Sequence, residues 1–294
     1  HLTDDGATNE LGIVLTDYNA QSLAADEALG ETGIDSRVGS GSVLYSDSRT
    51  DKVGGIRVTG ANSYTGTTTI AAGTEVYLGN SNALGSAAVH TSQLIAGNSG
   101  SVLKINNFTA HVGGVAISGG GSIKLGTDGN GTLAIHETGG SIQGTNALTG
   151  KGNINLNAGT LVISDANTGV EAFTTVSAGS TLQINHAQAL GSDSTAGNIL
   201  ANGTFITNAG GTLDNLIAGS GTWKKQGSGA LTSTKDNTFS GNLLVEGGTL
   251  TLSGVNAGIA STTLSDGTTL ELGQTNSAGT SQITAEGNAT LRTL

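Results

Sequence analysis

The chain has 294 residues, of which 49 are glycine, 3% are aromatic and 11% are charged. Ordinary proteins contain roughly 7% glycine, so this composition is not that of an ordinary globular domain, while the low charged fraction argues against simple disorder. The absence of cysteine excludes disulfide bonds and thiolate metal sites. The net charge of −11 comes without a basic stripe, so nucleic acid and anionic membrane surfaces are poor partners.

Residues 1–53 form an acidic stretch that does not share the pattern of the rest. Leu11 to Leu15 is an apolar strand, and Ser40 to Tyr45 resembles the first regular strand. Between them, residues 23–29 have helical spacing for one or two turns, or form a loop. We therefore interpret residues 1–53 as N-terminal end rungs, with a projecting loop as the alternative.

From residue 54 to residue 294 the chain repeats one design. Part of the segment Gly54 to Ser86 recurs at shifts of 106 and 175 residues, which is typical of stacked repeat architectures. The 106-residue copy maps Ile70, Gly73, Val76, Leu78 and Ala83 to Ser86 onto Val176, Gly179, Leu182, Ile184 and Ala189 to Ser192. The 175-residue copy maps Asn62, Tyr64, Gly66, Ile70 and Gly73 onto Asn237, Phe239, Gly241, Val245 and Gly248.

Short strands with alternating apolar residues recur at nearly constant spacing. The first inward residues are 20 or 21 positions apart in the pairs Leu103 and Ile123, Leu161 and Leu182, Leu250 and Leu270, and Leu270 and Leu291. Strands of four residues bury too little by themselves, but winding the chain pairs each strand with its equivalent one coil away. The pattern predicts an all-β protein, a right-handed parallel β-helix with about 20 residues per coil and about 12 to 14 coils. The 106-residue shift then corresponds to about five coils.

The segment ANSYTGTTTIAAGTEVYLGNSNALGS, with weaker echoes at residues 166–192 and 236–253, resembles the passenger-associated transport repeat of bacterial autotransporters (type V secretion). It is more similar to AIDA-type adhesins and self-associating autotransporters than to the serine-protease type. The resemblance implies a β-helical passenger at the bacterial cell surface, anchored to the outer membrane by a C-terminal β-barrel. Because this chain lacks that barrel and has no methionine, we expect it to be a piece of a longer protein.

The function that follows from the resemblance is adhesion, with self-association between cells, aggregation and biofilm formation. The expected partner is a copy of the protein on a neighbouring cell, through polar contacts along the face of the β-helix. The alternatives are binding to a host glycan or an extracellular matrix protein, and a stalk that carries a functional head outside this chain.

Catalytic and metal-binding patterns are weak. Gly97 to Ser101 is similar to the nucleophile loop of chymotrypsin-like proteases, but its nearest histidine, His90, lies in a repeat corner, so we interpret it as a glycine-serine turn. Asp128 to Gly131 begins like a calcium loop without the closing acidic residue, which indicates a tight turn. The five histidines, His1, His90, His111, His136 and His186, lack metal-ligand spacing and are interpreted as isolated residues. We expect no enzyme activity and no cofactor.

The aromatic-basic cluster Trp223, Lys224 and Lys225 is a candidate binding site, because a tryptophan ring can stack on a sugar. The alternative is a tryptophan packed at a coil edge beside solvated lysines. Asp17 and Tyr18 are further binding candidates in the acidic N-terminal stretch. Tyr64 and Phe239 occupy the same repeat position, which favours a structural role for both.

Overall fold

The computed structural model describes residues 56–192 and 196–294, together with the backbone of three short strands at positions 13–14, 38–39 and 43–45. The described residues contain strands and no helix. Every pairing between these strands is parallel, and each joins residues about one coil apart. The result is a β-solenoid of about 11 coils with about 21 residues per coil. The predicted parallel β-helix is confirmed, whereas its right-handed sense stays a prediction.

The long face is the most continuous of three sheet surfaces. Its strands pair in one ladder from residue 13 to residue 285. They are β1 (Ile13–Val14), β3 (Val43–Tyr45), β6 (Thr68–Ile70), β8 (Leu94–Ala96), β14 (Thr160–Ile163), β16 (Thr181–Ile184), β18 (Thr204–Thr207), β21 (Thr222–Lys225), β23 (Asn242–Val245), β25 (Ser261–Leu264) and β27 (Gln282–Ala285), with the later halves of β10 (Thr109–Ile117) and β12 (Gly131–Ile142).

The split face consists of strands that follow a long-face strand along the chain, and it forms two separate ladders because β14 and β16 are followed directly by short-face strands. The first ladder contains β4 (Ile56–Val58), β7 (Glu75–Leu78), β9 (Val102–Lys104), β11 (Ser122–Lys124) and the start of β13 (Leu148–Leu156). The second contains β19 (Gly211–Leu213), β22 (Ala230–Ser233), β24 (Thr249–Leu252), β26 (Thr269–Leu272) and β28 (Thr290–Thr293).

The short face consists of the strands that precede a long-face strand. They are β2 (Val38–Gly39), β5 (Ser63–Tyr64), β15 (Val170–Val176), β17 (Ile199–Ala201) and β20 (Ile217–Ala218), with the first halves of β10 and β12 and the later half of β13. The strands β10 and β12 turn the corner onto the long face, and β13 joins the split face to the short face.

Aliphatic side chains stack in register through the interior. Ile117, Ile142, Ile163 and Ile184 are successive partners on the long face, and each is buried. A buried aliphatic side chain of this size contributes about 1.5–3 kcal/mol to stability. All four leucine and isoleucine pairs that the sequence spaces 20 or 21 residues apart are direct partners in the ladders. The prediction that a spacing of 20 or 21 residues corresponds to one coil is therefore confirmed.

The two sequence shifts differ in their relation to the coils. Eight pairing steps along the long face lead from Thr69 to Leu244, so the 175-residue shift is a whole number of coils. Five steps lead from Thr69 to Gln183, which is 114 residues away and not 106. The 106-residue shift instead moves Ile70 on the long face to Val176 on the short face. The assignment of that shift to five coils was wrong, because coil length varies along the solenoid.

One glycine position recurs in all three repeat copies for a conformational reason. Gly73, Gly179 and Gly248 have φ angles of 67°, 84° and 65°. Residues with a Cβ atom adopt this left-handed region rarely, so glycine is favoured at this position in the turn.

The N-terminal predictions are partly outside the described residues. Ile13–Val14 and Val43–Tyr45 are strands within the two predicted strand regions, and both extend the long face. The predicted helical turns at residues 23–29, and the binding candidates Asp17 and Tyr18, lie outside the described residues.

Buried asparagines tie neighbouring coils together at the corners. The Asn237 side chain accepts a hydrogen bond from the Ile217 backbone N–H at 2.7 Å and donates one to Asn256 Oδ1 at 2.8 Å. Asn62 and Asn167 likewise donate to the carbonyl oxygens of Ala83 and Ala189 in the next coil. Buried amides in this setting replace the backbone pairing that a strand would otherwise supply.

Replacing Asn237 with alanine should lower the free energy of unfolding by about 2–3 kcal/mol, because it leaves a buried N–H and a buried amide oxygen without partners. Chemical denaturation followed by circular dichroism measures the change. Asn208 is the matched control, since it is exposed and makes one long side-chain bond of 3.4 Å. Equal destabilisation by Asn237→Ala and Asn208→Ala would contradict the role of the buried amide.

Candidate functional site

The outer surface of the long face carries side chains in straight rows. Its first row consists of successive ladder partners that all carry a hydroxyl or an amide group, Thr160, Thr181, Thr204, Thr222, Asn242, Ser261 and Gln282. In a parallel sheet, equivalent groups repeat about every 4.8 Å. The row therefore presents a regular line of neutral hydrogen-bonding groups.

A second outward row on the long face mixes aliphatic and polar residues. Its members are half-buried except for the last, which is exposed, and they are Val162, Gln183, Ile206, Lys224, Leu244, Thr263 and Thr284 in ladder order. Lys224 is the one charged residue in the two rows between residues 160 and 284, and its Nζ pairs with Glu246 Oε1 at 3.2 Å. This part of the long face is thus almost uncharged, although the chain carries a net charge of −11.

Three histidines meet at the corner between the short and long faces. His111 Nδ1 and His136 Nε2 are 2.9 Å apart and share a hydrogen bond, and the His90 ring contacts the His136 ring in a tilted arrangement with a centroid distance of 4.8 Å. His90 Nε2 is buried without a hydrogen-bond partner and lies 3.4 Å from Glu137 Oε1. The interpretation of these histidines as isolated residues was wrong for His90, His111 and His136.

An irregularity in the ladder creates this histidine cluster. Val112 pairs with Ile135 and Gly114 with Gly139, so the segment 136–138 bulges opposite Gly113. A Cβ atom at Gly113 would lie 2.9 Å from Glu137 Oε2 and would clash with the Ser92 carbonyl oxygen. Glycine at position 113 therefore makes room for the bulge that carries His136 and Glu137.

The environment of the cluster disfavours the protonated forms of His111 and His136. Burial lowers the pKa of His111, and the nearby His90 lowers it further. Burial also lowers the pKa of His136, together with the charges of His90 and His111, while Glu137 acts in the opposite direction. The described residues contain no group of three histidine, aspartate or glutamate side chains arranged to hold a metal ion. A hydrogen-bonded pair at 2.9 Å directs its nitrogens at each other and not at a shared ligand.

Stability should fall as the pH drops from 7.5 to 5. The two lowered pKa values mean that the unfolded chain binds more protons than the folded chain below the ordinary histidine value of 6.5, so protonation favours unfolding. Protonation of carboxylates lowers the free energy of unfolding further at lower pH. The free energy of unfolding, measured by denaturation at closely spaced pH values, should decrease through this window.

His136→Asn should flatten that pH profile, and His186→Asn is the control because His186 is exposed on a corner outside the cluster. Profiles of equal steepness for the wild-type chain and His136→Asn would contradict the assignment of the acid sensitivity to the cluster.

The candidate Trp223 lies inside the solenoid. Its side chain is 0% exposed, its ring stacks on Phe205 with a centroid distance of 6.2 Å, and it meets Phe239 edge to face at 6.4 Å. The indole Nε1 donates to Thr207 Oγ1 at 3.2 Å. Trp223 is thus a core residue, and its ring is not available to stack on a sugar at the surface. Tyr64 and Phe239 are buried as well, as expected for a structural position.

The two lysines beside Trp223 have different positions. Lys225 is buried, and its Nζ donates to the carbonyl oxygens of Gln226, Gly227 and Gly247 at 2.6–3.0 Å. Burial lowers the pKa of Lys225. Lys224 points outward and is half-buried beside Glu246. Of the three predicted binding residues, Lys224 is therefore the one that a ligand could reach.

Lys225→Ala should lower the free energy of unfolding by about 2–4 kcal/mol, because it opens a cavity and leaves three carbonyl oxygens without their charged donor. Lys224→Ala, one position away and outward, should change stability by less than about 1 kcal/mol. Thermal unfolding of the two variants distinguishes them, and similar melting temperatures would disprove the interior role of Lys225.

The remaining sequence motifs form turns. Ser101 Oγ donates to the Asn98 carbonyl oxygen at 2.6 Å within the turn after β8. Asp128 Oδ1 accepts the Asn130 backbone N–H at 3.3 Å. Both interpretations of these segments as turns are confirmed.

No part of the described chain is a helix with the length and apolarity needed to cross a membrane. Comparison of the chain with protein-family models, with characterised proteins and with solved structures gave no match.

Proposed function

We propose that this chain is the passenger of a bacterial autotransporter and acts as an adhesin at the cell surface, where it binds a second copy of itself on a neighbouring cell. It works by binding and not by catalysis, and its contacts promote aggregation and biofilm formation. The observation that carries the proposal is the almost uncharged long face on a strongly acidic chain.

Charge explains why the long face is the favoured contact. Two copies with a net charge of −11 repel each other at a distance. The repulsion is smallest where neutral rows of threonine, serine and asparagine face each other. The long face is also the surface whose ladder continues without a break, so it offers the longest straight line of contacts.

Repetition supplies the strength of this contact. A neutral hydrogen bond contributes only about 1 kcal/mol net. The side chain of a single coil is therefore too weak a contact to hold two copies together. Successive coils add equivalent groups, and many molecules on each cell surface add avidity. Half-buried aliphatic residues of the second row, such as Ile206 and Leu244, add apolar area to the same contact.

Sedimentation velocity over a wide concentration range tests self-association directly. Wild-type chain should form dimers, and salt should strengthen them by screening the net negative charge. Thr181→Glu combined with Thr204→Glu places negative charges in the first row and should weaken dimerisation at least tenfold.

Thr249→Glu combined with Thr269→Glu is the matched control, because these threonines are ladder partners on the split face and change the net charge equally. This control should dimerise like the wild-type chain. A strict monomer at high concentration, or equal loss in both double variants, would refute self-association through the long face.

A further inference from the structure

A cleft of about 450 Å³ opens on the outside of the short face. Small-molecule sites occupy roughly 300–1,000 Å³, so this volume suits a ligand of small size. The side chains around the cleft are Asp128, Lys151, Asn153, Glu171, Phe173 and Asn198.

The floor of the cleft is backbone. Gly152 and Ala172 are ladder partners, and Gly197 follows in the next coil. A Cβ atom at Gly152 would clash with the Gly131 carbonyl oxygen, and one at Gly197 would clash with the Ala172 carbonyl oxygen. Larger residues cannot occupy these positions, so the strands lie close together beneath the surrounding side chains.

An aromatic ring forms one wall of the cleft. Phe173 is 43% exposed, whereas the other phenylalanine, tyrosine and tryptophan side chains in the described residues are buried or half-buried. Its ladder partner one coil earlier is Asn153, and Asn198 lies beside it one coil later. The ring therefore stands between two amide side chains and is the most exposed aromatic ring among the described residues.

Charged groups complete the wall. Lys151 Nζ pairs with Glu171 Oε2 at 2.6 Å, and both side chains are about half exposed. Asp128 is exposed next to them. Two carboxylates and one ammonium group give the cleft a net negative charge, which disfavours anionic ligands and leaves hydrogen-bond donors and acceptors for neutral ones.

We propose that this cleft is a binding subsite for a neutral pyranose sugar. A pyranose ring has an apolar face of C–H groups that packs on an aromatic ring, and a rim of hydroxyl groups that bind amides and ion pairs. Phe173 supplies the aromatic face. Asn153 Nδ2 donates to the Gly129 carbonyl oxygen at 3.1 Å, so Asn153 Oδ1, the Asn198 amide and the Lys151–Glu171 pair bind the hydroxyl groups.

Saturation-transfer difference NMR on the 294-residue chain tests the subsite, with methyl glycosides of glucose, galactose, mannose and N-acetylglucosamine as probes. At least one neutral glycoside should give a saturable signal, while a heparin disaccharide should give none. Phe173→Ala should weaken binding at least tenfold, and Phe173→Tyr should retain it. Val89→Ala, which removes another exposed apolar side chain, should have no effect.

Circular dichroism and melting temperature verify that each variant is folded. Asn198→Ala should also weaken sugar binding, and this loss does not depend on the aromatic ring. Absence of a signal for all neutral glycosides, binding of the heparin disaccharide alone, or unchanged binding by Phe173→Ala would overturn the proposal. Sedimentation of Phe173→Ala should match the wild-type chain, so failure of the sugar subsite is separable from failure of self-association.

Discussion

In-register parallel pairing between successive coils is the constraint on which this molecule depends. Most strands have only two to four residues, and a single coil cannot bury an apolar face by itself. Pairing with the coils on either side satisfies the backbone and brings equivalent side chains into columns, such as Ile117, Ile142, Ile163 and Ile184. The same strand register aligns the interior columns and the outward rows, so one pairing pattern determines both the core and the surface.

Much of the fold could be predicted because alternation and coil length are local properties of the sequence. The four predicted pairs of inward residues are ladder partners. The 106-residue shift misled because the steps along the long face range from 18 to 30 residues, as from Phe205 to Trp223 and from Ile13 to Val43. A sequence match then preserves local strand-turn-strand geometry without preserving the face on which it lies.

The sites were harder to predict, although signals were present. His90, His111 and His136 are 21 and 25 residues apart, which is one coil each, so applying the coil length to histidine would have indicated their contact. Alternation in β21 likewise places Trp223 and Lys225 on the same side, as partners of Phe205 and Leu243 and of Thr207 and Val245. The bulge at residues 136–138 had no such signal, because it depends on the close approach of Gly113.

The faces of a solenoid can differ in their surface chemistry because each face repeats its own rows of side chains. The long face repeats neutral side chains, so the proposed contact with a second copy gains strength from the number of coils that take part. The short face differs, because its cleft depends on glycine at particular coils and on one exposed aromatic residue. Binding along a row tolerates variation in coil length, whereas a cleft does not, since one inserted residue would move Phe173 to the inner side of its strand. The proposed surface for self-association and the proposed sugar subsite therefore lie on different faces and do not share residues.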